Sequence, residues 1–303
     1  MEAIRFPNVQ INMAGNLYFP ESFDNQRRYP AIVVIHPSGG VKEQTAGLYA
    51  EKLAQHGFVT LAFDSSCQGE SGGEPRYEEN PYTRVADISA AIDYLVTQPF
   101  IHSQRIGVLG VCAGGGYAIH ASMVDRRIQA TGTISAVNYG AMYRKGWAGD
   151  QAPEQCFAFL EMAAQQRNAE AKGAPIGYTP TVTMTVEEAP NQDFVEAYEY
   201  YRTPRAMHPN SPAQITTRSL AQLVTYDAFN NAEIFLTHPL LVIAGSEAGT
   251  RWLTEEIYQR AASVNKRMHI VEGATHIALY DQPQYVAEAL SKLVPFFTAS
   301  LPE

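Results

Sequence analysis

Between residues 31 and 135, short apolar runs alternate with helical segments at a regular spacing, and this restricts the chain to very few folds. The runs are residues 31–36, 58–63, 106–109 and 130–135. The first of them is a continuous, largely β-branched run that suits a strand covered on both faces, as in a parallel sheet. Between them, residues 45–56 place Tyr49, Ala50, Leu53 and Ala54 on one side, and Gly57 closes the segment. Val85, Ile88, Ile92 and Leu95 recur at steps of three and four, the mark of an amphipathic helix. Residues 115–123 form a third helical segment. Strand–helix–strand units in this order predict an α/β fold with a mostly parallel sheet. Ahead of them a hairpin is expected, with residues 9–13 and 17–19 flanking a turn at Ala14-Gly15-Asn16.

The rhythm stops at residue 139. As far as residue 237 the chain offers helical stretches (154–172, 194–201 and 218–227) separated by Pro-rich loops, and no buried strand. It then resumes with a strand at 239–245, a helix at 253–262, a strand at 267–271 and a helix at 284–297. About a hundred irregular residues inside a regular sheet read as an insertion. The expected organisation is therefore a core of residues 1–138 and 238–303 with an inserted helical cap at 139–237.

Composition narrows the function. A net charge of −9 argues against nucleic acid, whose phosphates require a dense Lys/Arg surface. No apolar run approaches the ~20 residues that cross a bilayer, and the N-terminal residues lack the basic start and apolar stretch of a signal peptide. The expectation is a cytoplasmic protein acting on a small molecule, without membrane or nucleic-acid partners; a homo-oligomer is left open. The three cysteines, Cys67, Cys112 and Cys156, form neither a disulfide framework nor a CxxC metal pair. No HExxH pattern occurs and no carboxylate–histidine cluster has ligand spacing, so neither a metal nor an organic cofactor is expected.

One cysteine stands apart. Gly110-Val111-Cys112-Ala113-Gly114 lies between a short apolar strand and a helix, the context of a G-x-nucleophile-x-G elbow. Glycines two positions either side give the backbone room for a sharp turn that exposes the middle side chain. The helix N-terminus is expected to favour the thiolate and lower the thiol pKa. His276, in Gly273-Ala274-Thr275-His276 after the last strand, follows the nucleophile in the order required of a general base. The third member is expected after the strand at 239–245, where Glu247 is the carboxylate available; Asn138 is an uncharged alternative for orienting the imidazole. An oxyanion hole would draw one N–H from Ala113 and another from Ser38, Gly39, Gly40 or Val41, with Gly39 and Gly40 favoured. Glu43 either approaches the thiol or starts the next helix. His36 ends a strand and is expected to shape the loop behind it.

These residues, with residues 36–44, residues 64–73 and Tyr200-Tyr201-Arg202-Thr203-Pro204-Arg205, resemble the α/β-hydrolase superfamily, and within it the dienelactone-hydrolase-like branch with a cysteine elbow. The branch includes bacterial hydrolases and the similar fungal polyketide transferases. The resemblance covers nearly the whole chain. It implies an eight-stranded, mostly parallel sheet flanked by helices, and hydrolysis or transfer of an ester, lactone or thioester through an acyl-enzyme. The chain departs from its relatives at Gly249 and Ala278, where they tend to carry aspartate. The leading reading is a hydrolase with Cys112 as nucleophile and His276 as general base. The alternatives are an acyltransferase, or a binding protein that kept the fold and lost efficient turnover. Tyr200, Tyr201, Trp147 and Phe157 would either wall an apolar pocket or pack the cap onto the core.

Overall fold

The computed structural model describes residues 1–302. Its centre is an eight-stranded sheet in the order β1-β2-β4-β3-β5-β6-β9-β10. The strands are β1 (Glu2–Asn8), β2 (Ile11–Tyr18), β3 (Tyr29–Ile35), β4 (Val59–Asp64), β5 (Ile101–Val111) and β6 (Ile128–Ile134), joined after the insertion by β9 (Leu240–Gly245) and β10 (Lys266–Val271). β1 and β2 pair antiparallel, β2 joins β4 antiparallel, and every pairing from β4 to β10 is parallel. Every residue of β4 and β9 is buried, as the unbroken apolar runs require of strands with helices on both faces.

The core helices are α1 (Thr45–Ala54), α2 (Pro81–Val96) and α3 (Ala113–Val124), then α9 (Arg251–Arg260), the single turn α10 (Ala278–Asp281) and α11 (Pro283–Ser300). They divide the apolar residues into two clusters, one on each side of the sheet, and Cys112 touches both.

The N-terminal hairpin lies elsewhere than the sequence suggests. The reversal falls at Val9-Gln10, where Val9 has φ of 52°, and β2 runs unbroken through Ala14-Gly15-Asn16. Gly15 is a close-packing residue and not a turn residue: a Cβ there would lie 2.8 Å from Leu61 Cδ1 on β4.

Between β6 and β9 the chain forms α4 (Tyr139–Lys145), α5 (Phe157–Ala171), α6 (Gln192–Arg202), α7 (Leu220–Thr225) and the short α8 (Ala232–Phe235). Two three-residue strands, β7 (Tyr178–Pro180) and β8 (Gln214–Thr216), pair antiparallel in a separate ribbon. The motif at residues 200–205 fastens this insertion to the core. Tyr200 Oη accepts the Thr45 N–H at the start of α1 (2.8 Å), and Arg205 donates twice to the Asp281 carboxylate on α10 (2.9 and 2.7 Å).

Candidate active site

The carboxyl ends of the parallel strands converge on one edge of the sheet, where open α/β sheets bind ligands. Ser38 follows β3, Cys112 follows β5, Thr250 follows β9 and His276 follows β10. Cys112 is the N-cap of α3, at φ 56° and ψ −124°, a conformation costly for any residue with a side chain. The flanking glycines make the turn possible. A Cβ on Gly110 would meet the Gly114 carbonyl oxygen at 2.2 Å, and one on Gly114 would meet the Ile35 carbonyl oxygen at 2.5 Å. The half-buried thiol lines a pocket of about 210 Å³ together with His276, Ser38, Trp147, Asp193 and Tyr201.

That arrangement places the chain in a family. The model of the Alpha/beta hydrolase family matches residues 32–289. The chain belongs to that family. It is 50% identical over 294 residues to the uncharacterized protein YcjY of Escherichia coli K12, covering 97% of this chain and 96% of that protein. It is 38% identical to the uncharacterized protein PA2218 of Pseudomonas aeruginosa, over 90% of this chain and 73% of the relative. The crystal structure of PA2218 superimposes with a TM-score of 0.91 at 34% identity, covering 99% of this chain and 93% of that one. The thiohydrolase aneE of Aspergillus aculeatus is 24% identical over 89% of this chain and 84% of its own length.

Within this family frame, His276 is buried and held on three sides. Its Nδ1 lies 2.5 Å from Thr250 Oγ1, its Nε2 lies 3.1 Å from Tyr280 Oη, and its backbone N–H donates to Asp193 Oδ1 at 3.0 Å. Trp147 packs against the imidazole at 4.8 Å between ring centres. Burial lowers the His276 pKa to about 4, and the nearby Asp193 carboxylate partly opposes the fall.

Cys112 departs from expectation in the same direction of neutrality. Burial pushes its thiol up to about 11, outweighing the opposing contacts with the Tyr280 hydroxyl and the Ala113 N–H. The helix N-terminus therefore does not yield a ready thiolate, because withdrawal from water dominates. Burial thus favours the uncharged form of both thiol and imidazole.

Glu247 does not join the site. It is exposed, and its carboxylate accepts from Ser246 Oγ. Asn138 is also engaged elsewhere: it caps α4, accepts the Ala228 N–H at 3.1 Å and donates to Asp227 at 2.6 Å. The carboxylate beside His276 is Asp193, in the first turn of α6, with its side chain buried. Its Oδ2 accepts from Trp147 Nε1 (2.7 Å) and from the Gly249 N–H (2.8 Å). A Cβ at Gly249 would lie 2.6 Å from Trp147 Cδ1 and 3.0 Å from Asp193 Oδ2. The absent side chain at 249 and the carboxylate from the insertion thus occupy neighbouring space. In sequence, Asp193 shows only as an acidic residue at a helix start, 83 positions from its partner.

The loop after β3 offers fewer donors than its glycines suggest. The Gly40 N–H is spent on Pro37 O (3.1 Å) and the Val41 N–H on Gln44 Oε1 (3.1 Å). Among the described residues, the N–H groups of Ser38 and Gly39 have no acceptor, and Ser38 lines the pocket. The loop is held from behind by buried Arg84, which donates to His36 O at 2.8 Å and pairs with Glu79. His36 stays structural, with Nδ1 donating to Pro37 O and Nε2 accepting the Ser65 N–H. Glu43 contacts Lys42 and not the thiol; the Lys42 ammonium sits between Glu43, Asp64 and Glu70 and bonds to all three carboxylates.

Of the four aromatics, Trp147 and Tyr201 line the pocket, Tyr200 packs behind it, and Phe157 is exposed. Cys67 and Cys156 are buried and lie outside the pocket. No helix among the described residues is long and apolar enough to cross a membrane.

Proposed function

We propose that this protein hydrolyses an ester, lactone or thioester through an acyl-cysteine on Cys112, with His276 as general base, in keeping with the dienelactone-hydrolase-like branch. The observation that carries the reading is a strained cysteine elbow, φ 56°, opening into a pocket that the buried His276 also lines. Attack of Cys112 sulfur on the carbonyl carbon forms the tetrahedral oxyanion. The Ala113 N–H, with that of Ser38 or Gly39, stabilises the developing charge. The thiol proton goes to His276 and then to the leaving oxygen or sulfur, and water deprotonated by His276 releases the acid. Asp193 takes the role foreseen for Glu247, balancing the imidazolium. The insertion serves as a cap, since it supplies Trp147, Asp193 and Tyr201 to the pocket.

The thiohydrolase name of the Aspergillus relative favours a thioester among the three bonds. The deciding measurement is turnover of a p-nitrophenyl ester and of an acyl thioester by the native protein and Cys112→Ala, with mass spectrometry of quenched reactions. An acyl mass on the peptide carrying Cys112, and loss of turnover in the variant, are expected. Hydrolysis that survives Cys112→Ala rules the nucleophile out.

A further inference from the structure

The imidazole of His276 makes its two side-chain hydrogen bonds to groups other than the Cys112 thiol. Its Nδ1 is taken by Thr250, and its Nε2 points at the Tyr280 hydroxyl, 3.1 Å away. That hydroxyl and the Cys112 thiol line the same pocket, and the hydroxyl favours the thiolate against burial, while no hydrogen bond joins Cys112 directly to His276. Tyr280 is buried on α10, and its hydroxyl reaches back to His276, which lies in the turn before that helix. Its ring packs edge-on to Tyr200 (5.3 Å between centres), and the next residue, Asp281, is clamped by Arg205. The hydroxyl is thus held against the imidazole in the pocket that the thiol also lines.

We propose that Tyr280 is a further catalytic residue that relays the thiol proton of Cys112 to Nε2 of His276; this rests on the Cys112–His276 reading above. With Nδ1–H donating to Thr250, Nε2 carries the lone pair. The S–H bond breaks as sulfur attacks the carbonyl carbon, and the carbonyl π pair moves to oxygen. The thiol proton passes to the Tyr280 oxygen while the tyrosine's own proton passes to Nε2. Tyrosine ends neutral and histidine carries one positive charge, so protons and charge balance. The return path delivers the proton to the leaving group. Burial holds the Tyr280 pKa well above its ordinary value, which disfavours a tyrosinate and suits a concerted shuttle.

The test uses the full-length protein and Tyr280→Phe, which keeps the ring and removes only the hydroxyl. Single-turnover acylation by a p-nitrophenyl ester is followed in H2O–D2O mixtures beside Cys112→Ala and His276→Ala. The relay predicts a fall of about 10²–10³-fold in the acylation rate of Tyr280→Phe. It also predicts a curved dependence on deuterium fraction in the native protein, from two protons in flight. An acylation rate within about threefold of native for Tyr280→Phe, with both other variants inactive, overturns the relay and leaves the pair standing. A linear deuterium dependence in the native protein overturns it even where Tyr280→Phe folds poorly. Turnover by Cys112→Ala would instead sink the underlying reading.

Discussion

At the residue scale, the proposed chemistry turns on two groups whose neutral forms burial favours. Cys112 has a helix N-terminus and the Ala113 N–H to favour its thiolate, yet loss of hydration pushes its pKa up to about 11. Alkylation of Cys112 by iodoacetamide in the resting protein should therefore keep rising with pH from 7 to 10 and show no plateau near 8.5. A plateau below pH 9 would mean that the thiolate is stabilised after all. Asp193 acts on the other group. It raises the His276 pKa against burial, so removing its charge should lower that pKa further. In Asp193→Asn the acid limb of kcat/KM should move to lower pH, and kcat should fall because the imidazolium formed in the reaction has lost its counter-charge. An unchanged limb with a lowered Tm would make Asp193 merely structural. The sequence displays Cys112 and His276 because each sits in a local pattern, an elbow or a strand end. Asp193, Thr250 and Tyr280 carry no such pattern.

Single elements explain where reading the sequence succeeds and where it slips. Strand β3 announces itself because burial on both faces leaves an unbroken apolar run, and β4 to β6 follow from their regular alternation with helical segments. The N-terminal hairpin misleads because Gly15 was needed for contact with Leu61, and a glycine between apolar runs looks the same whether it turns the chain or thins a strand. Motif 200–205 reads as a family mark, whereas its physical work is mechanical: Tyr200 holds α6 to α1, and Arg205 holds it to α10. Because α10 carries Tyr280 and begins two residues after His276, the Arg205–Asp281 pair ties the insertion to the turn that holds the proposed general base. Arg205→Ala should cost about 1–3 kcal/mol of stability through the two lost charged hydrogen bonds. It should also lower kcat beyond what the unfolded fraction accounts for. Urea unfolding beside kinetics at 15 °C separates the two effects; a loss of activity that only mirrors unfolding would deny the coupling.

For the whole molecule, charge and cavity point to one class of substrate. The chain carries a net charge of −9, and no lysine or arginine lines the pocket, where Asp193 is the acidic residue beside the imidazole. Apart from Ser38 and Thr181, the remaining walls are mostly aromatic or apolar, with Tyr139, Met142, Tyr143, Trp147 and Phe194 among them. An anionic acyl group would be repelled during approach and would then shed its hydration with no cation to replace it. A neutral acyl group meets neither penalty and gains by covering apolar surface. The p-nitrophenyl ester of pentanoic acid should therefore be preferred over the mono-p-nitrophenyl ester of succinic acid, similar in length but charged, by at least about tenfold in kcat/KM. That ratio corresponds to about 1.4 kcal/mol in the transition state. Added salt should narrow the gap only in part, since it screens the long-range repulsion and leaves the cost of desolvation inside the pocket. Equal rates for the two esters, or a preference for the succinate, would mean that a cation reaches the acyl end during turnover, and would shift the search for the natural substrate to acidic acyl groups.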